Sequence, residues 1–339
     1  LRICIFGAGS VGGYLGAMLS QNVDTSDSYA PKITMVARGQ HLEAMKNKGL
    51  RITTPNGELR AVGGLNAEFV SAEELRGKFK FVLVCLKTNQ IKDNLEKLKE
   101  IGDDETRYAF VINGIPWWYF HKTSTGTRLD NHPFEIVDAG GAIWNNLGAE
   151  RAIGVVPYIA CQVISPGVIK LFEGYNEFQI GAPGVENDDI SQTLTNIIAA
   201  AGIKARWHQN IRFHVWRKLL GNITTNPLSV LTGCGIDGLV AEESMKMLIR
   251  KIMVETSEVA AALGVDLNAD FDERIRILSE LGEFKTSMLQ DYEAGKPIEI
   301  DPIVTSVKIL QQEIFNTNGN SALFNMWAIL NTKIKHGGK

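Results

Sequence analysis

The chain has 339 residues, 45% of them hydrophobic and 22% charged, with a net charge of −3 and a pI near 6.1. That length points to two domains, and the composition is that of a globular protein able to bury a sizeable core. The slightly acidic balance gives no sign of a nucleic-acid partner.

Arg2–Phe6 reads as a short apolar strand, and GAGSVGGYLGA opens a helix to about Gln21. Ile3 to Leu19 carries no charge and so resembles a signal peptide or membrane span. The five glycines Gly7, Gly9, Gly12, Gly13 and Gly16 break the run, which argues against targeting. No other run approaches the roughly 18 apolar residues of a membrane helix. Cys4, Cys85, Cys161 and Cys234 are far apart and form no CxxC. They read as reduced, buried thiols of a cytoplasmic protein.

Asn22–Ala30 is a polar loop, Lys32–Ala37 a second strand and Gln40–Lys48 a helix. Arg51–Val62, with Asn56-Gly57 in its middle, reads as a hairpin. Ser71–Arg76 is expected as a short helix, because Ser71 and Glu74 form a capping box. Phe79–Leu86 is a buried strand, Ile91–Ile101 a helix and Tyr108–Ile112 another strand. Alternating strands and helices predict a mainly parallel sheet. Glu135–Gly181 reads as mixed strands extending it, followed by a helix over Asp188–Ala201 and a last strand over Lys204–Trp207. From Asn210 onward the pattern is helical, with the longest helix expected over Glu242–Leu263. The fold class is therefore a Rossmann-type α/β domain over 1–209, followed by an all-α domain over 210–339.

Gly7, Gly9 and Gly12 form a GxGxxG that follows a strand and opens a helix, the context a dinucleotide pyrophosphate site requires. The same turn holds Ser10 and Val11, which join the glycines as candidate cofactor ligands. The second strand ends in Val36-Ala37-Arg38, with no acid for a ribose hydroxyl. Arg38 can fork onto a 2′-phosphate, which favours NADP(H); an exposed structural arginine is the alternative. Lys87 and Asn113 fall at the carboxyl ends of the next two strands, where ligands bind in such sheets. Each alone also fits a surface charge or an ordinary turn.

In WRKLLGNITTNPL, Lys218, Asn222 and Asn226 recur every four residues. Their tips form a drifting line about 12 Å long, opposite Phe213, Trp216, Leu220 and Ile223. The line is either a solvated face or a wall of donors and acceptors for an oxygen-rich ligand. Asn and Thr are weak helix formers, so their recurrence favours the second reading. Ser287 opens SMLQDYEAGKPIEID, and Glu299 follows between two isoleucines after the Lys296-Pro297 break. Taken singly, these two are a helix-surface hydroxyl and a surface acid. His208 and His214 make no metal set with an acid at suitable spacing, and HExxH, GxSxG and GxxxxGK[ST] are absent. A metal or nucleophile hydrolase is thereby disfavoured. Trp117-Trp118-Tyr119-Phe120 reads as packing.

Taken together, GAGSVGGYLGA, VARG, LVCLKT, ING, WRKLLGNITTNPL and SMLQDYEAGKPIEID resemble the ketopantoate reductase (2-dehydropantoate 2-reductase) family, in that family's order and over most of the chain. The resemblance implies a Rossmann domain, a helical domain and a cleft between them. It implies that Gly7, Gly9 and Gly12 hold the pyrophosphate of NADPH, that Arg38 holds its 2′-phosphate, and that Lys87 and Asn113 line the cofactor side. Lys218 would be the catalytic lysine, Asn222, Asn226 and Ser287 substrate ligands, and Glu299 a supporting acid. The implied reaction is reduction of ketopantoate to pantoate, in pantothenate biosynthesis. A relative reducing another keto or imino acid, and a non-catalytic NADP(H)-binding redox sensor, are the alternatives. A small keto acid is the expected partner, with no nucleic acid or membrane, and a homodimer is a candidate assembly. The chain departs from the family at Asn22–Ala30, at His121–His132 (expected near the cofactor edge), at Cys234–Asp237 and at Asn316–Asn320.

Overall fold

The computed structural model describes residues 1–21, 31–57, 59–62, 66–184, 188–280, 282–317 and 319–336. The expected loop Asn22–Ala30 lies outside them. Among the described residues ten strands form one sheet: β1 (Arg2–Phe6), β2 (Lys32–Val36), β3 (Leu50–Thr53), β4 (Leu59–Val62), β5 (Ala67–Val70), β6 (Phe81–Val84), β7 (Arg107–Val111), β8 (Ala152–Ser165), β9 (Val168–Gly181) and β10 (Lys204–Trp207). The run β5-β2-β1-β6-β7-β8 is parallel throughout, while β9 pairs antiparallel with β8 and β4 antiparallel with β3. A helical region follows, from Ile211–Thr232 to Ala322–His336.

The parallel strands are apolar because both faces of the sheet are covered. Ile3, Ile5, Phe81, Leu83, Ala109 and Ile153 sit on one face at 0–1% exposure, under the helices Ser10–Gln21 and Asp189–Ala200. Each such Ile or Leu contributes about 1.5–3 kcal/mol of burial free energy. The chain leaves β1 for β2 and β5, then returns on the other side of β1 to form β6. The strand order therefore reverses at β1. Ligand sites in such sheets open at the carboxyl ends of the strands at such a reversal.

By contacts the chain forms two compact units, 1–112 with 142–211, and 113–141 with 212–339. Segment 113–141, assigned from sequence to the first domain, thus belongs with the helical unit. Its aromatic run explains this. Trp117, Trp118, Tyr119 and Phe120 are at most 1% exposed, and Trp216 Nε1 donates to Tyr119 Oη at 2.6 Å. The run is packing, as its composition suggested.

Several elements differ from the expectation. At Ser71–Arg76 the reciprocal capping bonds form, Glu74 N to Ser71 Oγ at 3.2 Å and Ser71 N to Glu74 Oε2 at 2.7 Å. They close only a turn, because Gly77 breaks the run at φ +88°. The helix expected over Ile91–Ile101 starts at Thr88 and is interrupted by a 3₁₀ turn at Lys92–Asn94. There the Asn94 amide donates to Gln90 O at 2.9 Å, competing with the helical ladder. Of the stretch 135–181, expected as mixed strands, only Ala152–Ser165 and Val168–Gly181 are strand, one long antiparallel pair of 14 residues each, while Ala142–Leu147 is a helix. The longest helix is Ile211–Thr232, at 22 residues, which runs through Pro227. The second longest, Glu243–Ala262, has 20. Of the four free cysteines only Cys4 is fully buried; the other three keep partial exposure. Among the described residues no helix is long and apolar enough to cross a membrane.

Candidate active site

In the first unit the glycine turn connects β1 to the helix Ser10–Gln21. Gly7 takes φ +105°, and a Cβ there would lie 3.0 Å from Cys85 O and 3.0 Å from Leu86 Cδ2, so the end of β6 closes on it. A Cβ on Gly12 would lie 2.2 Å from Gly7 O and 2.9 Å from Cys85 Cβ. These two glycines are explained by the protein's own packing. Gly9 is not, because a Cβ on it would meet nothing within 4 Å. The space in front of Gly9 is what close approach of a phosphate to the backbone needs, so the turn fits a dinucleotide. Val11 is half-buried against the core, and the Ser10 hydroxyl accepts from Val163 N at 3.2 Å.

Arg38 sits just beyond β2, at the cap position of the helix Gly39–Lys48, with extended backbone. It is exposed, and its guanidinium has no partner among the described residues. Lys87 is half-buried two residues past Cys85 and caps the short helix Thr88–Ile91, its N–H reaching Gln90 Oε1 at 3.4 Å.

The helical unit holds the second group. The helix Ile211–Thr232 carries Lys218, Asn222 and Asn226 on one line, yet the line is not a solvated face. Asn226 is 4% exposed, and Lys218 and Asn222 are half-buried. Its threonines fit the interior by bonding back to the helix: Thr224 Oγ1 to Gly221 O at 2.8 Å, Thr225 Oγ1 to Gly221 O at 3.0 Å. Lys218 Nζ donates to Asn113 Oδ1 at 2.7 Å. Burial lowers the lysine's pKa from its ordinary 10.5 to about 7, against the opposing charge of Glu299, which raises it. Lys218, Asn113 and Glu299 are thus brought together from segments far apart in sequence.

What holds them is a π-helical turn, Asp301–Thr305, immediately after Glu299 and Ile300. Pro302 O belongs to this turn. It accepts Ile115 N–H at 2.7 Å and Ser306 Oγ–H at 2.9 Å. Gly114 lies against it at φ +78°, and a Cβ there would stand 2.2 Å from Pro302 O and 2.9 Å from Ile303 N. The Asn113-Gly114 turn therefore docks on the π turn by having no side chain. Such π turns recur at functional sites. Spacing alone gave no sign of it.

Ser287 is exposed at the first position of the helix Ser287–Glu293, whose cap is Thr286. Thr286 Oγ1 accepts Leu289 N–H at 3.1 Å and lies 2.6 Å from Ser229 Oγ, which donates to Asn226 O at 2.7 Å. Because Ser229 gives its proton to Asn226, Thr286 must be the donor in their shared bond. This chain of hydroxyls ties the helix carrying Ser287 to the one carrying Asn226.

Segment 121–132 also belongs to the helical unit rather than to the unit that carries the glycine turn. Arg212 holds it, with Nε donating to Tyr119 O at 2.8 Å and Nη2 to His121 O. Inside it Asp130 accepts from Thr123 and Thr125 hydroxyls and from the N–H of Thr125 and Gly126. Burial alone would raise this carboxyl, but those bonds outweigh it and hold its pKa at about 2. Asn316 takes a left-handed conformation, φ 51°, and so ends the helix Ser306–Phe315.

Two family models match the sequence: ketopantoate reductase PanE/ApbA over residues 3–184, and ketopantoate reductase PanE/ApbA C terminal over residues 210–312. A 2-dehydropantoate 2-reductase of Mesorhizobium japonicum is 39% identical over 310 residues, covering 91% of each chain. A Ralstonia solanacearum chain assigned as a ketopantoate reductase has a TM-score of 0.86 at 28% identity, over 99% of this chain and 98% of that one. D-Mandelate dehydrogenase, in a ternary structure with NADH and anilino(oxo)acetate, has a TM-score of 0.80 at 19% identity over 99% of both chains, a likeness of fold.

Proposed function

This chain belongs to the ketopantoate reductase family of oxidoreductases, and from that membership we propose that it reduces a small 2-keto acid, with ketopantoate the first substrate, using NADPH. The observation that carries the reading is Lys218, partly buried, hydrogen-bonded to Asn113 at 2.7 Å and under the charge of Glu299. A bound nicotinamide would supply the hydride that adds to the ketone carbon. Lys218 as an ammonium donates a hydrogen bond to the ketone oxygen and then yields it a proton, as a general acid. A pKa near 7 keeps that proton both present and transferable at neutral pH. Glu299 favours the charged lysine, and Asn113 accepts one of its three N–H bonds, fixing the direction of the others. Asn222, Asn226 and Ser287 hold the carboxylate and hydroxyl of the substrate without adding charge.

Gly7, Gly9, Ser10, Val11 and Gly12 form the turn that would hold the pyrophosphate, with Lys87 beside it. Arg38, without a side-chain partner among the described residues, supports a 2′-phosphate, hence NADPH over NADH. The unit of 1–112 with 142–211 is thus the cofactor-binding part, and the unit of 113–141 with 212–339, which carries Asn113, the substrate part. A second reading keeps the reaction and changes the substrate. D-Mandelate dehydrogenase holds NADH and anilino(oxo)acetate on the same fold, and the stretch Cys234–Asp237 departs from the family pattern. The test is a panel of 2-keto acids with NADPH or NADH, followed by cofactor oxidation. Ketopantoate with NADPH is expected to give the highest kcat/KM. Turnover of another keto acid without ketopantoate would overturn the named substrate, and no turnover of any would overturn the reductase reading.

A further inference from the structure

His41 lies on the helix Gly39–Lys48, three residues past Arg38, and neither motif reading nor the proposed chemistry uses it. Both of its ring nitrogens are engaged. Nδ1 faces Gly167 N–H at 3.1 Å, and Nε2 lies 3.0 Å from Ala8 O. A backbone N–H only donates and a carbonyl only accepts, so the ring must be the neutral Nε2–H tautomer. Burial lowers its pKa, which agrees with a neutral ring.

The Ala8 carbonyl it holds is the one between the first two glycines of the turn. The Ala8–Gly9 peptide is trans, as all described peptide bonds are, so its carbonyl and the Gly9 N–H point opposite ways. Fixing the carbonyl toward His41 therefore aims the Gly9 N–H away from it. Gly7 N–H and Ala8 N–H are both taken by Val36 O, at 3.2 and 2.7 Å. The Gly9 N–H has no acceptor among the described residues, and a Cβ on Gly9 would meet nothing within 4 Å. It is the first donor of the turn left for a ligand.

The ring itself is anchored from the far end of the β8–β9 pair. Gly167 turns there at φ +74°, where a Cβ would stand 3.0 Å from Ala44 Cβ, and its carbonyl accepts Arg51 N–H at 2.9 Å. Val163, on the same hairpin, donates to Ser10 Oγ. The hairpin end thus holds the turn at two points, directly at Ser10 and through His41 at Ala8.

We propose that His41 is a positioning residue for dinucleotide binding, setting the Ala8–Gly9 peptide so that the Gly9 N–H faces the pyrophosphate. This rests on the reading of the glycine turn as a dinucleotide site. Because the pyrophosphate is common to both cofactors, His41 acts on NADPH and NADH alike, whereas Arg38 acts on NADPH alone. The experiment is fluorescence titration of NADPH and of NADH into the full-length protein and its His41→Leu, His41→Gln and Arg38→Ala variants, with thermal unfolding of each. His41→Leu is expected to weaken both cofactors by the same factor, about tenfold, the lower worth of a hydrogen bond to a charged group. His41→Gln, whose amide can still donate to Ala8 O, is expected to recover most of that loss. Unchanged affinity in His41→Leu, or equal losses in the Leu and Gln variants, would overturn the proposal and leave His41 as packing. Failure of the parent protein to bind either cofactor would instead overturn the dinucleotide reading beneath it.

Discussion

Under the proposed function, the glycine turn of the first unit and the lysine site of the second both offer hydrogen-bond donors to an oxygen-rich ligand, with opposite materials. The turn works by what it lacks. Gly7 and Gly12 have no Cβ where neighbouring atoms stand 2.2–3.0 Å away, and Gly9 has none where there is open space. The lysine site works by side chains carried in from residues 113, 218 and 299. The first depends on backbone conformation over a dozen consecutive residues, and the second on three segments keeping their places in a folded unit. A change in the turn should therefore act on cofactor affinity, and a change in the lysine site on the chemical step.

That contrast is broken most sharply at Lys218. Lys218→Ala should lower kcat by roughly 10² to 10⁴, the usual worth of a positioned general acid. NADPH affinity, measured by fluorescence titration on the same preparation, should stay within about twofold. Loss of cofactor binding with little loss of kcat would erase the division of labour.

Gly114 comes next, because the lysine site borrows the turn's device there. Gly114→Ala places a Cβ 2.2 Å from Pro302 O at a positive φ. The strain should cost about 1–3 kcal/mol of stability, seen in thermal unfolding, and should lower kcat more than it raises the KM for NADPH. Gly114→Asn relieves the φ strain but not the contact, so it should recover little. Full recovery by Asn would mean that backbone freedom alone matters.

Smaller still is the effect at the hydroxyl chain. Ser229→Ala leaves the buried Thr286 hydroxyl, 3% exposed as a residue, without the acceptor it donates to. Roughly 1–2 kcal/mol of stability should be lost, with the KM for the keto acid rising severalfold as Ser287 and Asn226 lose their tie. Ser229→Thr keeps the hydroxyl and should restore both. If thermal unfolding is unchanged in Ser229→Ala, the bond is not formed in solution.

The same contrast explains what could be read beforehand. The parallel sheet was legible because buried strands are unbroken apolar runs, and the turn because GxGxxG needs only adjacent residues. Lys218, Asn222 and Asn226 were legible as a line because a helix repeats every four residues. Their burial was not, since whether a polar line faces water depends on what packs over it. The docking of Gly114 on a π turn, and the hold of His41 on Ala8, left no signal of their own. A Gly after Asn113 and a His after Arg38 each look ordinary until residues 302 and 167 arrive beside them. The move of segment 113–141 into the second unit was hidden similarly, because Trp117 to Phe120 announce burial but not against which partner.

The pH dependence of kcat reads the lysine site most directly. Lys218 titrates near 7, lowered by burial and held up by Glu299. Ketone reduction uses the ammonium, so kcat should be level below about pH 7 and fall about tenfold per unit above it. Glu299→Gln removes the influence that raises the pKa, so the falling limb should move to lower pH. The reverse oxidation uses the neutral amine, and its rate should instead rise through the same region. A shifted limb in Glu299→Gln is the result this account predicts. A profile with no fall up to pH 9, or a limb that stays in place in Glu299→Gln, would contradict it.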